Sequence, residues 1–292
     1  MAARRFAWVL NLDADLELAV GLGYTPRRRV REAMKPFVAS LARSLLGPED
    51  VLIDETSPPL AGRGLAGRAF CPTPCALTML RRAVAVPEAA PTFEVLRRVN
   101  SRAFSASLGV TLEGAAFVTN LDDARAKLTE APALGTGWRI KRAFGMSGRG
   151  QRVVEAGRLT DADLAFTRAA MADGGVQIEP NVVVVREYAI HGMLGESGSL
   201  RLGSLVSQRC DARGAWLATE TVMPPSAAEY EIAWSLREEA QRTAGALGEA
   251  RYFGPFGIDA YTYLGRDNAI NLQLRSEINA RYSMGFAVGF TQ

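Results

Sequence analysis

The stretch Gly257-Ile258-Asp259 followed by Glu277-Ile278-Asn279-Ala280-Arg281, near the end of a 292-residue chain, decides how the rest is read. A carboxylate and an amide two residues apart on a strand point to the same side. Asp259 falls on the preceding strand of a hairpin that turns at Gly265-Arg266-Asp267-Asn268, with Gly257 two residues before it. Two acids and an amide gathered on one face repel one another unless a cation sits between them. Hard oxygen donors of this kind suit Mg²⁺ whose shell is completed by nucleotide phosphates. Arg281 adds an anion fork on the same face. Asp259, Glu277 and Asn279 are therefore the expected metal ligands.

Along the final strand, Ile270, Leu272, Leu274, Ile278 and Ala280 alternate with Asn271, Gln273, Arg275, Glu277, Asn279 and Arg281. Such alternation predicts one face on a core and one polar face. Asn271 and Gln273 are expected on its solvated part. Tyr261 and Tyr263 share the parity of Asp259, so they line the site or pack in a core.

Upstream, Lys141 ends a predicted strand, residues 137–142, and precedes a glycine-rich loop containing Gly145, Gly148 and Gly150. Glycines let backbone N–H groups approach phosphate oxygens, and the lysine would supply a point charge. No Gly-Lys-Ser/Thr follows, so this is not a P-loop. Glu179-Pro180 joins two strand-like pieces and forms a hinge whose backbone could meet an adenine edge; Glu187 could bond ribose hydroxyls. On the residues alone, both glutamates read as ordinary strand-end surface acids.

Gly62-Arg63-Gly64-Leu65-Ala66-Gly67 has the spacing of a dinucleotide fingerprint but does not directly follow a strand, so it reads as a loop. His191, the single histidine, reads as a turn residue, and no nucleophile–His–acid triad can be built on it. Cys71, Cys75 and Cys210 lack zinc-site spacing and fit a reduced, cytoplasmic setting. The formal net charge of +3 is too small to argue for nucleic acid. No apolar run is long enough to cross a bilayer, and Asp13 and Asp15 argue against a signal peptide.

The remaining pattern predicts an opening strand at 6–12, a helix over 25–46 and a strand at 51–54. A domain boundary follows near residue 92. Beyond it come one helix over 93–108, strands near 117 and 151–154, and helices over 120–131 and 161–171. Strands at 176–179, 181–190, 199–208 and 215–222 follow, then a helix over 226–250 and the final hairpin.

In this order the features resemble the ATP-grasp superfamily of carboxylate–amine ligases. The resemblance covers residues 93–292. It is carried by Asn100-Ser101-Arg102, Ile140-Lys141 with the glycine loop, Val176-Gln177-Ile178-Glu179, Glu187, Gly257-Ile258-Asp259 and Glu277-Ile278-Asn279-Ala280-Arg281. It implies an α/β and α+β fold: an N-terminal α/β domain (1–92), a first ATP-grasp subdomain with the lid loop (93–180) and a second with the metal site (181–292).

The resemblance also implies roles. Lys141 would touch the α/β-phosphates. Arg102 would stand where the family usually has a lysine. Glu179 and Val182 would be the adenine-contacting hinge and Glu187 the ribose acid. Glu277 would bridge two Mg²⁺ ions, with Mn²⁺ an alternative, and Arg281 would steady the transferred phosphate or the acyl phosphate. The Gly62–Gly67 loop would face the site. The implied activity joins a small-molecule or peptide carboxylate to an amine through an acyl phosphate, releasing ADP and phosphate. Such ligases are commonly homodimers. A kinase of the same fold and a non-catalytic Mg-ATP-binding subunit are the alternatives.

Overall fold

The computed structural model describes residues 4–146, 149–211, 214–223 and 225–290. Three sheets organise them. The first is parallel, in the order β2-β1-β3-β4, built from β1 (Phe6–Val9), β2 (Val51–Leu52), β3 (Ala66–Ala69) and β4 (Val86–Pro87). The apolar run at 6–9 suits a central parallel strand covered on both faces. Helices α1 (Ala14–Val20), α2 (Arg28–Leu45) and α3 (Pro74–Arg82) accompany it. Pro74 opens α3, where its missing N–H costs no hydrogen bond.

The second sheet is antiparallel, in the order β5-β8-β6-β7, from β5 (Ala116–Val118), β6 (Gly137–Met146), β7 (Arg149–Glu155) and β8 (Val176–Pro180). Helices α6 (Leu121–Thr129) and α7 (Asp161–Met171) pack on it. Thr160 and Asp163 form a reciprocal capping box at the start of α7.

The third sheet is also antiparallel, in the order β12-β11-β9-β13-β14, with β10 on β9. Its strands are β9 (Val184–Leu194), β10 (Leu200–Leu202), β11 (Val206–Cys210), β12 (Trp216–Thr221), β13 (Gly254–Leu264) and β14 (Ile270–Asn279). Helix α8 (Ala227–Glu249) opens with a Ser226/Glu229 capping box, and α9 (Phe286–Gly289) closes the described chain. The largest core runs without a break from Trp8 and Leu18 to Ile190, Phe256 and Ile278, so the first and third sheets share it. Among the described residues no helix is long and apolar enough to cross a membrane.

Several sequence expectations change. The single helix over 93–108 is two helices, α4 (Phe93–Val99) and α5 (Arg102–Ser107). Asn100 causes the break. Its amide accepts from the N–H of Ala280 (2.9 Å) and donates to the C=O of Ala280 (3.3 Å), while Ser101 caps the N–H of Ala103. Gln273, expected on the solvated face, is 2% exposed; Asn271 is exposed as expected, and Arg275 is 3% exposed. Between the pairs Asp259–Glu277 and Tyr261–Gln273, three residues of β14 oppose Ala260 alone. This irregularity turns Arg275 into bonds with Ser105, Gly109 and Glu239. His191 is no turn residue: it lies within β9, 1% exposed, and burial lowers its pKa to about 4. The Gly62–Gly67 segment does not face the site. Gly67 belongs to β3, and a side chain on Gly62 would strike Ala85.

Candidate active site

A cleft of about 940 Å³ opens between the second and third sheets, and the first sheet's loops and helices close one end. It is lined by Arg102, Lys141, Gly145, Gly150, Glu179 and Val182, and by Glu187, Asp259, Glu277, Asn279 and Arg281. Every sequence-predicted site residue that the structure describes is thus in one cavity. Gly148 lies outside the described residues.

The β13–β14 ladder sets the centre. Asp259 stands opposite Glu277, and Gly257 opposite Asn279, so both carboxyl groups and the amide share a face. Asn279 donates its amide N–H to Asp259 (2.8 Å), and Gln208 of β11 donates to the other oxygen (3.2 Å). Burial, with Glu277 beside it, pushes the Asp259 carboxyl up to about 7. A cation would relieve that repulsion, and the donors are all hard oxygen types, so the set fits Mg²⁺ or Mn²⁺. Among the described residues no three His, Cys, Asp or Glu side chains cluster as a metal cage. A two-acid, one-amide set instead leaves coordination positions for phosphate oxygens.

Arg102, brought in by the helix break at Asn100, donates to Glu277 (2.8 Å) and to the C=O of Arg142 (2.9 Å). Its buried Nε has no partner among the described residues. Gly145 makes this possible: a Cβ there would sit 2.9 Å from the guanidinium. Gly150, at φ +84°, turns the chain where a side chain would be strained.

Toward the hinge, the Lys141 ammonium sits 2.6 Å from Glu179, a carboxylate 2% exposed. Gln177 donates to the other oxygen of Glu179 (3.0 Å). The glutamate is therefore an anchor for the lysine rather than a surface acid. Arg139 donates to Asn181 and Gln151, and Tyr261 lines the cleft nearby. Glu187 lies on β9 beside Cys210, whose thiol burial pushes well up, with Glu187 adding to the rise.

At the opposite end, Arg281 forms a two-point pair with Asp15 of α1 (2.9 and 3.4 Å) and donates to the C=O of Tyr282 (3.1 Å). Its guanidinium stacks 5.0 Å from the Phe70 ring. Burial pushes the Asp15 carboxyl up and Arg281 pulls against it. Asp15 and Gln208 are the polar residues that sequence reasoning missed. Asp15 had a signal: it falls just after the carboxyl end of the first parallel strand, where open α/β sheets bind ligands. Gln208 had none, because its partner is 51 residues away.

No protein-family model matches the sequence, and no curated protein matches it. Solved structures do match. D-alanyl-alanine synthetase A from Vibrio cholerae superposes with a TM-score of 0.55 at 13% identity, over 96% of this chain and 89% of that one. N5-carboxyaminoimidazole ribonucleotide synthetase from Thermus thermophilus gives 0.53 at 17% identity, over 95% and 71%. Carboxyaminoimidazole ribonucleotide synthase from Aspergillus clavatus, complexed with ATP, gives 0.53 at 15% identity, over 96% and 71%. The chain has the ATP-grasp fold. The neighbours sharing it are ATP-grasp carboxylate–amine ligases; at these identities the likeness establishes the architecture alone.

Proposed function

We propose that this protein is an ATP-dependent ligase that joins a carboxylate to an amine and releases ADP and phosphate. The observation that carries the reading is the convergence, inside an ATP-grasp cleft, of Asp259, Glu277 and Asn279 between Arg102 and Arg281. Few other tasks require two opposed, partly buried acids flanked by two guanidinium groups.

The nucleotide lies with its base at the β8–β9 connection, near Val182, and its ribose toward Glu187. Lys141, steadied by Glu179, presents positive charge to the α/β-phosphates, and the segment around Gly145 and Gly150 covers them. Asp259, Glu277 and Asn279 would hold magnesium, which when bound neutralises phosphate charge. Arg102 and Arg281 hold the transferring phosphoryl group and the substrate carboxylate in line. The carboxylate attacks the γ-phosphorus, the bond to the bridging oxygen of ADP breaks, and an acyl phosphate forms. The amine then attacks the acyl carbon and phosphate leaves. Preorganised charge supplies the stabilisation, and no protein nucleophile takes part. The substrates are small molecules or short peptides, met in the cytoplasm.

ADP release with Mg-ATP across a panel of acids and amines tests this. A ligase releases ADP and phosphate in quantity only when both an acid and an amine are supplied. Release with a single acceptor and no condensed product would make the protein a kinase. Tight Mg-ATP binding without turnover in any combination would reduce it to a nucleotide-binding subunit.

A further inference from the structure

The end of the cleft farthest from the hinge is built from the N-terminal part of the chain. Leu12, Met34, Phe37 and Phe70 line it, with Met284 from the segment before α9. All five belong to, or pack against, the largest core, so this wall is fixed in place. The basic group that reaches it, Arg281, is already paired with Asp15. A guanidinium has five N–H donors, and Arg281 spends three on Asp15 and Tyr282. Two remain for a single carboxylate. Ser283, which also lines this end, has a buried hydroxyl with no partner among the described residues.

We infer that the acid substrate is a monocarboxylate carrying an apolar side chain, held by Arg281 and Ser283 with its side chain against Leu12, Met34, Phe37 and Phe70. The inference rests on the ligase reading above. The local charge is the deciding point. Asp15 cancels most of the charge of Arg281, so a phosphorylated or multiply charged acid would bring uncompensated negative charge to an apolar surface. An apolar side chain instead removes its own hydrocarbon from water together with the exposed parts of Phe37 and Met284, over a floor of Leu12, Met34 and Phe70 that is already buried.

Two measurements test it. Calorimetry of the protein with Mg-ADP and leucine, phenylalanine, glutamate or a sugar-phosphate acid should show binding of the first two with a negative heat-capacity change. Phe37→Asp, a change on a half-buried position of α2, should weaken that binding on the order of tenfold or more while leaving Mg-ADP affinity in place. Steady-state ADP release with the same acids should follow the same ranking. Preference for glutamate or the phosphorylated acid, or a Phe37→Asp protein indistinguishable from the parent, overturns the inference and leaves the ligase reading standing. Absence of ADP release with every acid and amine overturns both.

Discussion

Gly145 carries no side chain because Arg102 occupies the space. Gly145→Ala would place a methyl group 2.9 Å from the guanidinium that bonds Glu277. We expect turnover to fall about tenfold, about 1.4 kcal/mol of transition-state stabilisation, with thermal stability almost unchanged. Unaltered turnover would show that Arg102 has no part in the chemistry. Lys141 and Glu179 behave differently, because their pair is largely buried. Lys141→Met leaves a carboxylate unpaired and should cost about 3–5 kcal/mol in urea denaturation. Adding Glu179→Gln should restore most of that stability without restoring ATP affinity, which separates the structural role from the binding role. At this scale the sequence was readable where chemistry-bearing residues lie close together on one hairpin. Asp259, Glu277 and Asn279 share a face that parity on the hairpin foretells, while Arg281, expected on the same strand, lies just past the end of β14. Glu179 does not, since its burial depends on Lys141, on another strand.

Strand β9 and helix α9 meet at His191, whose ring stands edge-on to Phe286 at 5.9 Å. Neither ring nitrogen has a partner among the described residues, and burial lowers the pKa to about 4. The unfolded chain binds this proton near pH 6.5 and the folded chain does not, so the contribution to stability is full above that value. It is lost as pH falls toward 4, for a total of about 3 kcal/mol. Asp259, raised to about 7, titrates in the opposite sense, so the comparison has to be made against a variant. His191→Leu should remove the acid-side loss in denaturation midpoints measured from pH 7 to 4; an identical pH profile would contradict the assignment. Elements with a strong local signal were legible: α7 falls on the predicted residues, and α8 follows its capping box. The break between α4 and α5 was not. It depends on Asn100 gripping a peptide group 180 residues away, and no helical periodicity records that. The register irregularity in β14 escaped for the same reason, because the groups that Arg275 meets there, on α5 and α8, lie far from it in the sequence.

Across the molecule, the N-terminal sheet and the third sheet are one body. Trp8 packs edge-on against Tyr282 at 5.2 Å, and the N–H of Tyr282 bonds the C=O of Phe70. Scanning calorimetry and tryptophan fluorescence should therefore report one shared transition for these two parts, while residues 93–292 alone should expose Leu96, Tyr282 and Phe286 and fail to fold. Two separate transitions would argue for an independent N-terminal unit. The apolar wall of the cleft was illegible in the sequence because it is assembled from four distant segments that carry no motif, whereas the ATP-grasp motifs could be read from their order along the chain. That assembly has a kinetic outcome. Asp15 meets Arg281 across 266 positions and Arg102 meets Glu277 across 175, so long loops must close before either contact exists. On dilution from denaturant, helical ellipticity should return first, and enzymatic competence should lag behind it, arriving only when the two extremities of the polypeptide have found each other.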